Sequence, residues 1–223
     1  MSTVGRVVAV FDLDGTITRR DTLFPYVWRY LARRPWRLAR LLAVVPALLA
    51  YLFAGRDRGR LKAALLRHTL RGETRAAIEA WNAAYLPRVI ARDLLPGAVA
   101  ALARERQRGA TLVLMSASVD LYVPALGKLL GFDHVVCTGV RWEDGVLDGA
   151  LATPNRRGEE KARCLERLRA DLAPVASITA YGNGSSDLPH MRLAERGVLV
   201  NGPRRARAEA AVLGIECVDW RGT

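Results

Sequence analysis

The chain has 223 residues and a mass of 24.5 kDa, with 34 basic against 22 acidic residues and a formal net charge of +12. A chain of this length buries roughly 70% of its unfolded surface without disulfide or metal staples, and 51% hydrophobic with 25% charged residues excludes a disordered or collagen-like polymer. Three separated cysteines, Cys137, Cys164 and Cys217, fit small core residues of a reducing, cytoplasmic compartment rather than a disulfide framework.

In chain order, the first residues lack the charged leader, apolar run and small-residue cleavage site of a signal peptide. Residues 7–11 are an apolar, β-branched run expected to be a buried parallel strand, ending at Asp12. Residues 22–93 are helical in pattern, with Pro25, Pro35, Pro46 and Pro87 as expected breaks, and Pro96-Gly97 marks the return to the core. The pattern next predicts a helix over 98–108, a strand over 111–115 closed by Ser116, a helix over 119–130 and an extended segment over 135–138. A hairpin over 141–147 turns at Asp144-Gly145. A helix over 159–172, a strand over 177–181 ending at Gly182, a helix over 187–194, a strand over 198–201, a helix over 204–213 and a strand over 216–218 complete the chain. Strands alternating with helices imply an α/β domain with a mostly parallel sheet: a core of residues 1–21 and 94–223, and a helical insertion of residues 22–93.

The basic excess is uneven. Residues 19–62 hold eleven basic residues and two acidic ones, Asp21 and Asp57, so this stretch carries +9 of the +12. A solvated helix face and a patch that meets an anionic partner both fit such clustering.

Functional groups of open parallel sheets gather at the carboxyl ends of strands. Asp12 and Asp14 lie two apart on an extended segment, so both face one site while Leu13 faces the core, and Gly15 allows the sharp turn away. Two carboxylates this close do not titrate alike; one stays ionised as nucleophile or ligand while the other holds a proton as general acid. A calcium loop needs a closing glutamate, and position 23 is Leu23, so that reading fails.

The ordered set of Asp12-Leu13-Asp14-Gly15-Thr16, Ser116, Lys161 and Gly182-Asn183-Gly184-Ser185-Ser186-Asp187 resembles the four motifs of the haloacid dehalogenase superfamily. The insertion between the first two motifs is similar to the helical cap of its phosphoserine-phosphatase-like subfamily. The resemblance implies a Rossmann-like parallel sheet with an inserted helical cap, and a phosphomonoesterase. Asp12 is then the nucleophile that forms an aspartyl phosphate, and Asp14 the general acid and base. Thr16, Ser116 and Lys161 hold the phosphoryl group. Lysine occurs only three times among the basic residues, at Lys62, Lys128 and Lys161, which supports a specific role for Lys161. A hard divalent cation, Mg²⁺, is implied, held by Asp12, Asp14 and the fourth motif. There the family's usual aspartate is Asn183, which offers a neutral oxygen and weaker binding, with Asp187 a compensating ligand.

Residues 41–54 form a fourteen-residue uncharged run with arginines on both sides: Arg33, Arg34, Arg37 and Arg40 before, Arg56, Arg58 and Arg60 after. Fourteen residues fall short of a helical bilayer crossing, and Asp12 and Ser116, on opposite sides of the run, must meet in one site. The run therefore reads as the apolar centre of the cap, as a re-entrant hairpin bent at Pro46, or as a helix at an anionic membrane interface, with Trp28, Trp36, Tyr51 and Phe53 as interfacial aromatics. This cap is similar to that of bacterial phosphatidylglycerophosphate phosphatases, which implies a phospholipid phosphomonoester substrate and peripheral membrane association. A soluble phosphomonoester such as phosphoserine is the alternative; its phosphatases carry a glutamate where this chain has Asp21, and glycines where it has Ala117 and Ser118. A non-catalytic membrane- or nucleic-acid-binding module is a third reading, but no nucleic-acid motif accompanies the arginines, and no nucleic-acid partner is expected. His68, His134 and His190 receive no role.

Overall fold

The computed structural model describes residues 5–55 and 57–221. Six parallel strands form the central sheet in the order β3-β2-β1-β6-β7-β8: β1 Arg6–Phe11, β2 Thr111–Val119, β3 His134–Thr138, β6 Val175–Gly182, β7 Arg196–Val200 and β8 Glu216–Val218. Strand alternation sends Val8 and Val10 to one face, against Cys164, Leu165 and Leu168 of helix α7 (Glu159–Asp171). Ala9 and Phe11 face the other way, into the larger core with Ala98, Ala101 and Leu102 of helix α5 (Pro96–Gln107). β1, flanked by β2 and β6, is the central strand of this arrangement.

Between β1 and β2 lie α1 (Leu23–Ala32), a 3-10 helix (Pro35–Val44), α2 (Val45–Phe53), α3 (Arg58–Thr69) and α4 (Arg75–Asp93). Pro25, Pro35 and Pro46 sit in first turns, where an amide hydrogen has no helical partner to lose. Pro87 departs from expectation. It lies inside α4 on the exposed side, where water takes up the carbonyl it leaves unpaired, and the helix runs on. The insertion is tied to the core by two adjacent segments, with Arg19 N–H donating to Asp93 C=O at 2.7 Å and Leu95 N–H to Ile17 C=O at 2.9 Å.

The hairpin forms as expected from β4 (Val140–Glu143) and β5 (Val146–Leu151), with Asp144 and Gly145 both at positive φ, 47° and 78°. It packs on α3 so closely that a Cβ on Gly149 would lie 2.5 Å from the Arg67 backbone, and it thereby braces the inserted helices.

Two helix expectations are corrected. β2 continues through Ser116 to Val119, because the ladder with β3 is interrupted after Met115 and resumes at Val119 with Thr138; helix α6 starts only at Val123 (Val123–Leu129). The helix expected over 187–194 is the single turn α8 (Leu188–Met191), closed by looser bonds such as Ala194 N–H to Met191 C=O at 3.2 Å. Helix α9 (Arg204–Val212) covers the β7–β8 end of the sheet.

Candidate active site

The carboxyl ends of β1, β2 and β6 converge on a cavity of about 450 Å³. Asp12 N–H donates to Tyr181 C=O at 2.9 Å, which extends the β1–β6 pairing to the first site residue. Gly15 follows at φ 83°, and a Cβ there would lie 2.0 Å from Nδ2 of Asn183, so the turn after Asp14 and the loop after β6 interlock only with glycine.

Lys161, in the first turn of α7, is 2% exposed and bridges two carboxylates: its Nζ donates to Asp12 Oδ1 and to Asp187 Oδ1, each at 2.7 Å. Burial opposes its charge, but Asp12 and Asp187 outweigh burial and raise the Lys161 pKa. Burial pushes Asp12 up to about 7 despite Lys161, with Asp187 and Asp14 adding repulsion. Burial also works against the Asp187 charge, yet Lys161 and two backbone amides hold its pKa low.

Asp14 is fixed at both oxygens. Oδ1 accepts from Thr22 N–H at 2.8 Å and the Thr22 hydroxyl at 2.6 Å; Oδ2 accepts from the Ser118 hydroxyl at 2.6 Å. Thr22 in turn meets the buried Tyr122 hydroxyl at 2.7 Å. Burial and the charge of Asp21 raise the Asp14 pKa, against these hydrogen bonds. The general-acid candidate is thus the carboxylate tied to the first residue of the insertion.

The remaining expected residues take distinct places. Ser116 is fully buried behind the cavity lining and accepts from Ser118 N–H at 3.0 Å, which leaves its hydroxyl hydrogen available to donate. Thr16 is likewise buried behind the lining, and its hydroxyl donates to Asp12 Oδ2 at 3.1 Å, which orients that carboxylate. Asp187 lines the cavity with Oδ1 held by Lys161 and Oδ2 by Asn183 and Gly184 N–H, each at 3.2 Å, and so anchors the lysine and the loop. Asp21 lines the cavity and caps α1, accepting from Leu23 N–H at 3.1 Å.

Sequence reasoning missed Lys62. From α3 its Nζ donates to Ala117 C=O and, at 2.6 Å, to Asn155 Oδ1, so an inserted helix touches the end of strand β2 directly. Burial lowers its pKa to about 8, with Asp14 and Asp21 favouring the charge and Arg157 and Arg58 opposing it. The scarcity that singled out Lys161 applies equally to Lys62, and two of the three lysines line this cavity. Seven basic side chains, among them Arg19, Arg20, Arg156 and Arg157, face four carboxylates there, an excess suited to a polyanionic ligand.

A second, apolar groove of about 430 Å³ joins the first, sharing Asp21, Leu23, Arg58 and Lys62 with it. Its walls are Leu41, Val44, Val45, Leu48 and Tyr51 on one side and Leu61 and Leu65 of α3 on the other. No cluster of three or more His, Cys, Asp or Glu suited to a metal occurs among the described residues.

The family model for haloacid dehalogenase-like hydrolases matches residues 9–192. The protein CicA of Caulobacter vibrioides is 37% identical over 192 residues, 85% of this chain and 83% of that protein. A probable phosphatase of Mycobacterium tuberculosis is 27% identical, covering 94% of this chain and 74% of that one. A probable phosphoserine phosphatase from Vibrio cholerae shares the fold at a TM-score of 0.72 and 17% identity, over 96% of this chain and 61% of that one.

Proposed function

The chain belongs to the haloacid dehalogenase-like hydrolases, and from that premise we propose that it is a Mg²⁺-dependent phosphomonoester phosphatase that works through an aspartyl phosphate on Asp12. The observation that carries this reading is the bridge of Lys161 between Asp12 and Asp187, beside an Asp14 held at both oxygens, in one cavity.

Asp12 attacks phosphorus and the bond to the leaving oxygen breaks; Asp14 gives that oxygen its proton. Asp14 then takes a proton from water, whose oxygen attacks the aspartyl phosphate, releases phosphate and restores Asp12. Lys161 is held charged by Asp12 and Asp187 before attack and by Asp187 and the phosphoryl group after it, so it offsets the charge gathering on nucleophile and phosphoryl oxygens. Ser116 contributes its hydroxyl hydrogen, and Thr16 keeps Asp12 aimed.

The donors suit a hard cation. Among the described residues Lys161 is the one cation bonded to the buried carboxylates of the cavity, and it serves Asp12 and Asp187 together. The Asp12 carboxylate, the Asp14 backbone carbonyl and the Asn183 side-chain oxygen are hard ligands that would hold Mg²⁺, and with one charged donor they hold it weakly. Such a cation supplies charge between two anions, the nucleophile and the phosphoryl group.

The apolar groove that opens off the phosphate cavity supports a phospholipid phosphomonoester over phosphoserine, whose body is polar throughout. Phosphate release from p-nitrophenyl phosphate, phosphoserine and phosphatidylglycerophosphate, with Mg²⁺ and with chelator, tests both levels. Hydrolysis that needs Mg²⁺ and falls at least about 10³-fold in Asp12→Asn is expected, with the lipid preferred. Equal inertness of wild type and Asp12→Asn on all three would leave a binding module; preference for phosphoserine would return the substrate to the soluble class.

A further inference from the structure

The stretch formed by the 3-10 helix and α2, Pro35–Phe53, inverts the usual placement of apolar side chains. Helix α2 has no buried residue, and Leu42, Leu49, Leu52 and Phe53, none of which lines the groove, are 72, 48, 54 and 84% exposed. Its nineteen residues satisfy the length and composition of a membrane span. Crossing is excluded by topology, because α1 before it and α3 after it both reach the same cavity, through Leu23 and Lys62. An apolar helix that cannot cross can lie in the interfacial plane.

We propose that the outer face of Pro35–Phe53 seats the protein on an anionic lipid bilayer, with the groove behind it open to the apolar part of a lipid. The rim decides the occupant. Arg33, Arg34 and Arg60 around the stretch are exposed, within a segment of net charge +9; Arg56, expected among them, lies outside the described residues. Asp57, exposed and paired with Arg60 at 3.3 Å, is an acid within this rim, but the balance is strongly basic and complements a uniformly anionic surface. A second copy of this chain would bring arginines against arginines across a two-fold axis, and a protein partner's rim is ordinarily of mixed sign. The groove supplies an independent argument, since Leu41, Val44 and Tyr51 of the same stretch form its wall and it ends at the phosphate cavity. Only the delivery of substrate rests on the phosphatase reading; the seat stands without it.

The test is co-sedimentation of the full chain with phosphatidylglycerol-containing and pure phosphatidylcholine vesicles, using wild type and Asp12→Asn so that turnover plays no part. Both proteins should sediment with the anionic vesicles only, at least about tenfold less at high salt. The triple variant Leu49→Gln, Leu52→Gln, Phe53→Gln should lose about a hundredfold in partition while hydrolysing p-nitrophenyl phosphate as wild type does, since none of the three lines either cavity. Undiminished sedimentation of the triple variant, binding to neither vesicle, or a discrete wild-type dimer that the triple variant abolishes would overturn the proposal. Sedimentation of a wild type as inert as Asp12→Asn toward p-nitrophenyl phosphate, phosphoserine and phosphatidylglycerophosphate alike would sink the phosphatase reading and leave the seat intact.

Discussion

Asp12, Lys161 and Asp187 are charged groups only 6, 2 and 4% exposed, whereas Trp36, Leu42 and Phe53 are apolar groups 75, 72 and 84% exposed. Each set violates the ordinary partition of residues between inside and outside, and such violations carry the information about function. They differ in how the cost is met. In the cavity the buried charges have partners within the chain: lysine between two carboxylates, Asp187 on two amides, with the half-buried Asp14 on Thr22 and Ser118. On Pro35–Phe53 the described side chains leave the apolar face uncovered. The first region is prearranged for charge development; the second meets its cost with nothing in the described chain.

The largest break in that contrast comes from removing the partner of a buried charge. Lys161→Met leaves Asp12 and Asp187 facing each other without a cation, and should cost about 3–5 kcal/mol of stability, or roughly 10 °C in Tm, besides abolishing turnover; a thermal melt beside a phosphate-release assay reads both. The triple variant of Leu49, Leu52 and Phe53, by contrast, should shift Tm by no more than about 4 °C in the same melt, because exposed substitutions rarely exceed ±0.5 kcal/mol each.

A smaller effect sharpens the charge balance. Asn183→Asp restores a charged donor and should tighten the activation constant for Mg²⁺ about tenfold. In chelator it adds a carboxylate beside Asp12, so added Mg²⁺ should raise its Tm more than that of wild type. An unchanged Mg²⁺ titration would remove Asn183 from the donor set.

The smallest expected effect concerns Lys62. Its pKa lies near 8 rather than at the ordinary 10.5, so it is charged below about pH 8 and neutral above. An anionic substrate therefore loses one cation as pH rises through 8, and KM should climb severalfold there with kcat little changed. In Lys62→Met, KM is high at the outset and this rise is absent.

Much of the site was legible because short-range geometry specifies it. The two-residue strand period puts Asp12 and Asp14 on one side, glycine marks the turn after them, and the rarity of lysine draws the eye to Lys161. Lys62 carried the same signal, but its partners Ala117 and Asn155 stand 55 and 93 residues away, a pairing that periodicity does not encode. Thr16 and Asp187 were recognised as site residues, yet which oxygen they face depends on how β1, α7 and the loop after β6 pack together. The helix expected from residue 119 failed for a related reason: Val119 re-enters the β2–β3 ladder beyond an irregularity that local propensity does not reveal.

The sequence by itself determined the alternation of strands and helices, the insertion and the carboxylates at a strand end, because each depends on neighbours a few positions apart. It also concentrated charge between residues 19 and 62. Only the tertiary structure decided which face of residues 41–54 turns outward. An apolar run of that length satisfies a cap core and an interface equally well, and burial is a property of what packs against a helix; here α3 covers one side and the other stays exposed.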